Sequence, residues 1–216
     1  MKHARFFLLC ASMIAMDCCN FLNGESLVSI TPNTIEISED SLIQMSKESY
    51  MVPYVKYLMK ADIPWEEGEG WFYTLVFIDD DEIPEMIVHS DMYYTVDGLV
   101  LSQHDGIVSS IKVLSEVNYI ERQGLLENSW SKMGESEDRV FQLKNGKFEL
   151  VATLRTEEGP AFDVYYYNGS KIDEKTAEKR MNEVFYDKGL SIFIEDLEWM
   201  SWADLLKNKE SIKGWK

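Results

Sequence analysis

Four Asx-Gly dipeptides, Asp97-Gly98, Asp105-Gly106, Asn145-Gly146 and Asn168-Gly169, fall within about seventy residues that alternate between apolar and polar side chains. Such pairs favour tight hairpin turns, because both central residues must take positive φ and Asn, Asp and Gly tolerate it best. The stretch from Trp71 to Ile172 therefore reads as an antiparallel meander of roughly seven to nine strands. The third pair also fixes a register. With Asn145 and Gly146 as the turn, Lys144 faces Lys147, Leu143 faces Phe148 and Phe141 faces Leu150. Phe141, Leu143, Phe148, Leu150, Ala152 and Leu154 are then expected on one face, with Gln142, Lys144 and Glu149 on the other.

The flanks read as helical. Leu42, Met45, Met51, Val55, Leu58 and Met59 give a loosely helical apolar face over residues 38–60, with a kink or restart at Pro53. After the strands, Asp173 is a credible N-cap for a helix carrying Ala177, Met181, Val184 and Phe185, with Gly189 as its stop. Ser201-Trp-Ala-Asp204 resembles a capping box for a short final helix. The expected fold is α+β: a curved antiparallel β-meander with an N-terminal helix and C-terminal helices, forming one domain over 38–216.

The N-terminus carries a separate message. Lys2, His3 and Arg5 precede an uncharged, mostly apolar run, Phe6 to Met16, too short to span a bilayer but suited to a signal peptide. All three cysteines (Cys10, Cys18, Cys19) lie in the first nineteen residues, so the rest of the chain has no disulfide framework, thiolate metal site or cysteine nucleophile. Residues 1–19 are expected to be an export signal and 20–37 a tether or edge strand. Asp17 before Cys18 leaves three readings open: a lipid-anchored cysteine, a freely secreted chain, or an uncleaved buried helix. The formal net charge of −17, from 38 acidic and 21 basic residues, would repel nucleic acids and anionic membranes. The expected localisation is extracellular or cell-surface, with membrane contact only through an N-terminal lipid.

One turn concentrates carboxylates: Asp79, Asp81 and Glu85, with Asp80 and Glu82 between them. Aligned with a calcium loop, Asp79 takes the third position, Asp81 the fifth, the Ile83 carbonyl the seventh and Glu85 the ninth. Phe77 stands where the first Asp belongs and Glu82 replaces the bending Gly. The departures favour Asp side chains that cap backbone N–H groups in a surface turn, leaving calcium as the one candidate cofactor. Trp65 and Trp71 flank a glycine-punctuated acidic loop and could form an aromatic platform for a sugar, or cover a sheet end. No Gly-x-Ser-x-Gly and no phosphate-cradling glycine loop is present.

Leu75-Val-Phe-Ile-Asp-Asp-Asp-Glu-Ile-Pro-Glu-Met-Ile-Val88, Tyr119-Ile-Glu-Arg-Gln-Gly124, Phe141-Gln-Leu-Lys-Asn-Gly-Lys-Phe148 and Tyr165-Tyr-Tyr-Asn-Gly-Ser-Lys-Ile172 resemble pieces of a group of uncharacterised exported proteins of anaerobic gut bacteria. The resemblance covers residues 50–186. It implies export and an α+β architecture, and transfers no site. The expected function is a non-enzymatic extracytoplasmic or cell-surface binding protein for a protein or glycan. The alternatives are a secreted hydrolase using acidic residues and a calcium-stabilised structural module.

Overall fold

The computed structural model describes residues 43–44, 47–61, 70–90 and 97–215. The expected export signal (1–19), the tether (20–37), Trp65 and part of the 38–60 helix lie outside the described residues. Helix α1 (Met51–Lys60) starts just before Pro53, which falls in its first turn. There the missing N–H has no helical partner to lose. Met51, Tyr54, Val55 and Leu58 repeat at i, i+3, i+4 and i+7 and are all fully buried, giving the helix one apolar stripe.

That stripe covers a five-stranded antiparallel sheet: β1 (Trp71–Val76), β2 (Glu85–Ser90), β3 (Asp97–His104), β4 (Ile107–Leu114) and, beside β1, the short β12 (Met200–Ser201). Tyr73, Leu75, Met86, Val88, Leu99 and Leu101 point toward α1. Val76, Ile87, Val100 and Val113 point the other way, toward a second sheet. The expected turn at Asp97-Gly98 is a correction, because Gly98 sits inside the β2–β3–β4 ladder opposite His89 and Val113. A Cβ there would lie 3.0 Å from the Val88 carbonyl and 3.1 Å from Val113 Cγ2. The glycine serves close packing rather than a reversal.

A single residue, Ser115, separates β4 from β5, and it takes φ +59. The buried Asn128 side chain spans this bend: its Oδ1 accepts from Leu114 N–H, and its Nδ2 donates to the Leu114 and Glu116 carbonyls. The chain then builds a seven-stranded antiparallel sheet from β5 (Glu116–Ile120), β6 (Leu125–Lys132), β7 (Glu135–Lys144), β8 (Lys147–Glu157), β9 (Val164–Tyr167) and β10 (Ser170–Ile172), with β11 (Ser191–Phe193) against β5. The meander is thus divided between two sheets, which share a core of Val76, Ile78, Ile87, Val100, Val117, Tyr119, Leu126 and Leu143.

The β7–β8 register is the expected one at Lys144–Lys147, Leu143–Phe148 and Phe141–Leu150. A bulge follows, because Val140 pairs with Ala152 and leaves Val151 as an extra residue. Ala152 and Leu154 are thereby moved off the Phe141 face, which corrects the expected six-residue stripe. They join Val140, Ile120 and Leu125 under helix α2 (Glu174–Val184), which contributes Ala177 and Met181. Asp173 caps α2, its Oδ1 accepting from Thr176 N–H at 3.0 Å. Ser201 caps the final helix α3 (Trp202–Lys207) through Asp204 N–H. Trp202 is fully buried in the α1 core.

Candidate functional site

The Asp-rich turn joins β1 to β2, and its carboxylates do different jobs. Asp79 Oδ1 accepts from Asp81 N–H at 3.1 Å, and Asp81 Oδ1 accepts from Ile83 N–H at 2.7 Å. These are successive Asx-turns, in which a side chain replaces a backbone acceptor. Glu85 turns inward and is 1 % exposed. Its Oε2 accepts from Ile78 N–H at 2.8 Å and its Oε1 from the Ser102 hydroxyl at 3.1 Å. Burial, and then the nearby Asp79 and Asp81, push its carboxyl up to about 8. The rise comes from burial, which penalises the charged carboxylate, and the two hydrogen bonds it accepts from Ile78 and Ser102 pull the other way. Tyr54 of α1 closes the turn by donating to the Pro84 carbonyl at 2.9 Å.

The same turn stitches the sheets together. The Phe77 carbonyl accepts from Arg122 N–H at 3.0 Å and the Ile78 carbonyl from Gly124 N–H at 2.7 Å, both in the β5–β6 turn. The Arg122 guanidinium lies 4.4 Å from the centre of the Phe77 ring. Asp79 and Asp81 therefore sit at the turn surface while Glu85 serves the interior. Among the described residues, no group of three or more His, Cys, Asp or Glu side chains is arranged to hold a metal ion. Trp71 begins β1 and packs against the α1 core. The two strand histidines lie apart: His89 stacks edge-on against Trp199 at 4.2 Å, and His104 neighbours Asp105.

Sequence reasoning missed a second polar cluster, on the α2 face of the seven-stranded sheet. Cross-strand pairing places Asn118 opposite Glu127, and Glu116 opposite Ser129 opposite Asp138. Glu127 has no exposed surface. Its Oε1 accepts from the Tyr186 hydroxyl at 2.7 Å and its Oε2 from Asn118 Nδ2 at 3.3 Å. Burial pushes its carboxyl up to about 7, a rise that the Tyr186 hydrogen bond opposes and Asp138 reinforces. Burial also raises Asp138, which the Ser129 side chain partly offsets by donating to it. Tyr186 follows α2, where Phe185 is locked into the core, and its ring is 48 % exposed. Its hydroxyl is consumed by Glu127, which fixes the ring beside the cluster that also holds half-buried Asn118, Ser129 and Asp138.

A local signal for this cluster did exist. Leu125 and Glu127 share the core-facing side of β6, so the strand's own alternation puts a carboxylate where an apolar side chain belongs. No model of a known protein family, no curated protein and no solved structure matches this chain.

Proposed function

We propose that the protein is an exported, non-enzymatic binding protein for a glycan, which it meets on the open part of the seven-stranded sheet beside α2. The carrying observation is Tyr186: a half-exposed ring whose hydroxyl is pinned at 2.7 Å by a fully buried carboxyl. An aromatic ring fixed in place stacks on the apolar face of a sugar at low entropic cost. Asn118, Ser129 and Asp138 beside it offer an amide, a hydroxyl and a carboxyl for sugar hydroxyls. In this reading the aromatic platform expected from Trp65 and Trp71 is supplied by Tyr186. The export signal expected in residues 1–19 supports an extracytoplasmic setting.

The second reading, a hydrolase using acidic residues, is favoured by one observation. Burial raises the Glu127 carboxyl to about 7 on the same face as Asp138, which would suit a general acid once a substrate displaces the Tyr186 hydroxyl bonded to it. One experiment separates the two. Titration calorimetry with soluble hexasaccharides of cellulose, xylan, mannan and chitin is expected to show one ligand bound without turnover. Tyr186→Ala should abolish that binding. Release of reducing sugar by wild type, lost in Glu127→Gln, would replace the binding protein with the hydrolase. No binding to any of the four would remove the glycan reading of this face.

A further inference from the structure

The turn between β6 and β7 is Met133-Gly134, with Met133 at φ +51. Three other reversals use the residues that this backbone favours, Asp105-Gly106, Asn145-Gly146 and Asn168-Gly169, with the first residue at φ +52, +50 and +47. A methionine gains nothing from this conformation, since it has no short polar side chain to bond its own backbone. Met133 gains nothing from burial either, being 93 % exposed. Neither the fold nor the turn explains it, and strain of this kind at an exposed position points to a contact made elsewhere.

A second large apolar side chain stands at the same end of the sheet. Phe162 lies in the β8–β9 connection and is 86 % exposed. The two loops are joined, because Glu158 N–H donates to the Gly134 carbonyl at 2.7 Å. Gly159 holds the Phe162 loop tight, since a Cβ there would lie 2.1 Å from the Phe162 carbonyl oxygen. The prongs are thus mounted on connected, tightly turned backbone. Along the chain and across the ladder they are flanked by Glu135, Glu157, Glu158 and Asp163, against Lys132 and Arg155. Arg155 is already engaged by Glu157 and Glu135.

We infer that Met133 and Phe162 form a two-pronged docking tip for a protein partner whose receiving surface is an apolar cleft rimmed by Lys and Arg. The acidic rim supplies the charge complementarity and steers encounter, while the prongs supply the desolvated centre of the contact. The same rim argues against an anionic bilayer as the occupant. This tip is separate from the Tyr186 face, so the inference stands or falls apart from the glycan reading.

The test is site-specific photo-crosslinking in the cells that produce the protein, with benzoylphenylalanine at 133, at 162, or at the exposed control position Lys171 on β10. The expected result is one protein adduct shared by 133 and 162 and absent from 171. That partner, purified, should bind wild type and lose at least about tenfold in affinity to the Met133→Asn, Phe162→Ser double variant. Binding should also weaken in about 0.5 M NaCl, since the rim is exposed. The variant keeps every charge and gives the turn its preferred residue, so its melting temperature should not fall. Adducts only with lipid or with a second copy of this chain, adducts equal at 171, no adduct at either tip position, or unchanged affinity in the double variant would each overturn the inference.

Discussion

Glu85→Gln should convert a protein that weakens between pH 7 and 8 into one that does not. The folded state holds the Glu85 proton up to about pH 8, whereas the unfolded chain releases it near the ordinary carboxyl value of 4.5. Between those values the unfolded state binds fewer protons, so stability falls as pH rises. The contribution is fully present below about pH 4.5 and lost as pH passes through 8. Each pH unit in that window costs about 1.4 kcal/mol, giving a ceiling of roughly 5 kcal/mol across it. Water entering the seam, with Asp79 and Asp81 at its mouth, would reduce the realised loss. Glutamine mimics the protonated acid: its oxygen can accept from Ile78 N–H, and its amide can donate to Ser102 Oγ once that hydroxyl rotates its hydrogen away from the position it takes toward Oε1. Glu127 complicates the lower part of the window, since it also titrates until about pH 7. Above pH 7 Glu85 acts with little interference. Urea unfolding at half-unit steps from pH 5 to 9 should show wild type losing about 1 kcal/mol between pH 7 and 8, with Glu85→Gln flat there. The two proteins should be nearly equal at pH 5, and the variant more stable at pH 8.5. Parallel curves for the two, or a wild type that gains stability through pH 8, would refute a protonated Glu85 in the folded seam.

Three further outcomes rest on the same structure. Asn128→Ala should cost about 2–4 kcal/mol in urea melts, because it leaves Leu114 N–H and the Leu114 and Glu116 carbonyls without their side-chain partner at a buried bend. Asp81→Asn should change the melting temperature little, since Asn keeps the acceptor oxygen that Ile83 N–H uses. Millimolar calcium is expected to leave the wild-type melting temperature nearly unchanged, and a chelator-reversible rise that Asp81→Asn abolishes would overturn that, since a ligand specific to the folded state stabilises it by mass action.

The hairpin at Asn145-Gly146 was legible because everything that defines it is local: two turn residues and the alternation on either side. The bulge four pairs beyond was not, since Val151 is as good a strand residue as its neighbours and nothing in composition marks it as extra. Glu85 was misplaced for a different reason. Met86, Ile87 and Val88 are all apolar, so β2 is buried on both faces, and alternation offers Glu85 no wet side to occupy. The Glu127–Tyr186 contact joins positions 59 apart in sequence and depends on how α2 ends, which no strand pattern encodes. The capping residues Asp173 and Ser201 were readable because their partners lie three residues away. The acidic composition raised Asp79 and Asp81 as ligands, yet their hydrogen bonds are made to their own turn.

The segment from Ser191 to Trp202 has an unusual assignment. β11 completes one sheet at β5, β12 completes the other at β1, and Trp202 then fills the space under α1. A chain still being synthesised has built most of both sheets but holds two unpaired strand edges until these residues emerge. Open edges are templates for pairing with other chains. Between completion of β10 and release of residue 202, the β1 and β5 edges therefore lack the strands that cover them in the finished fold. A ribosome stall or a proteolytic cut before Ser191 would leave both edges open at once, rather than merely shortening the protein.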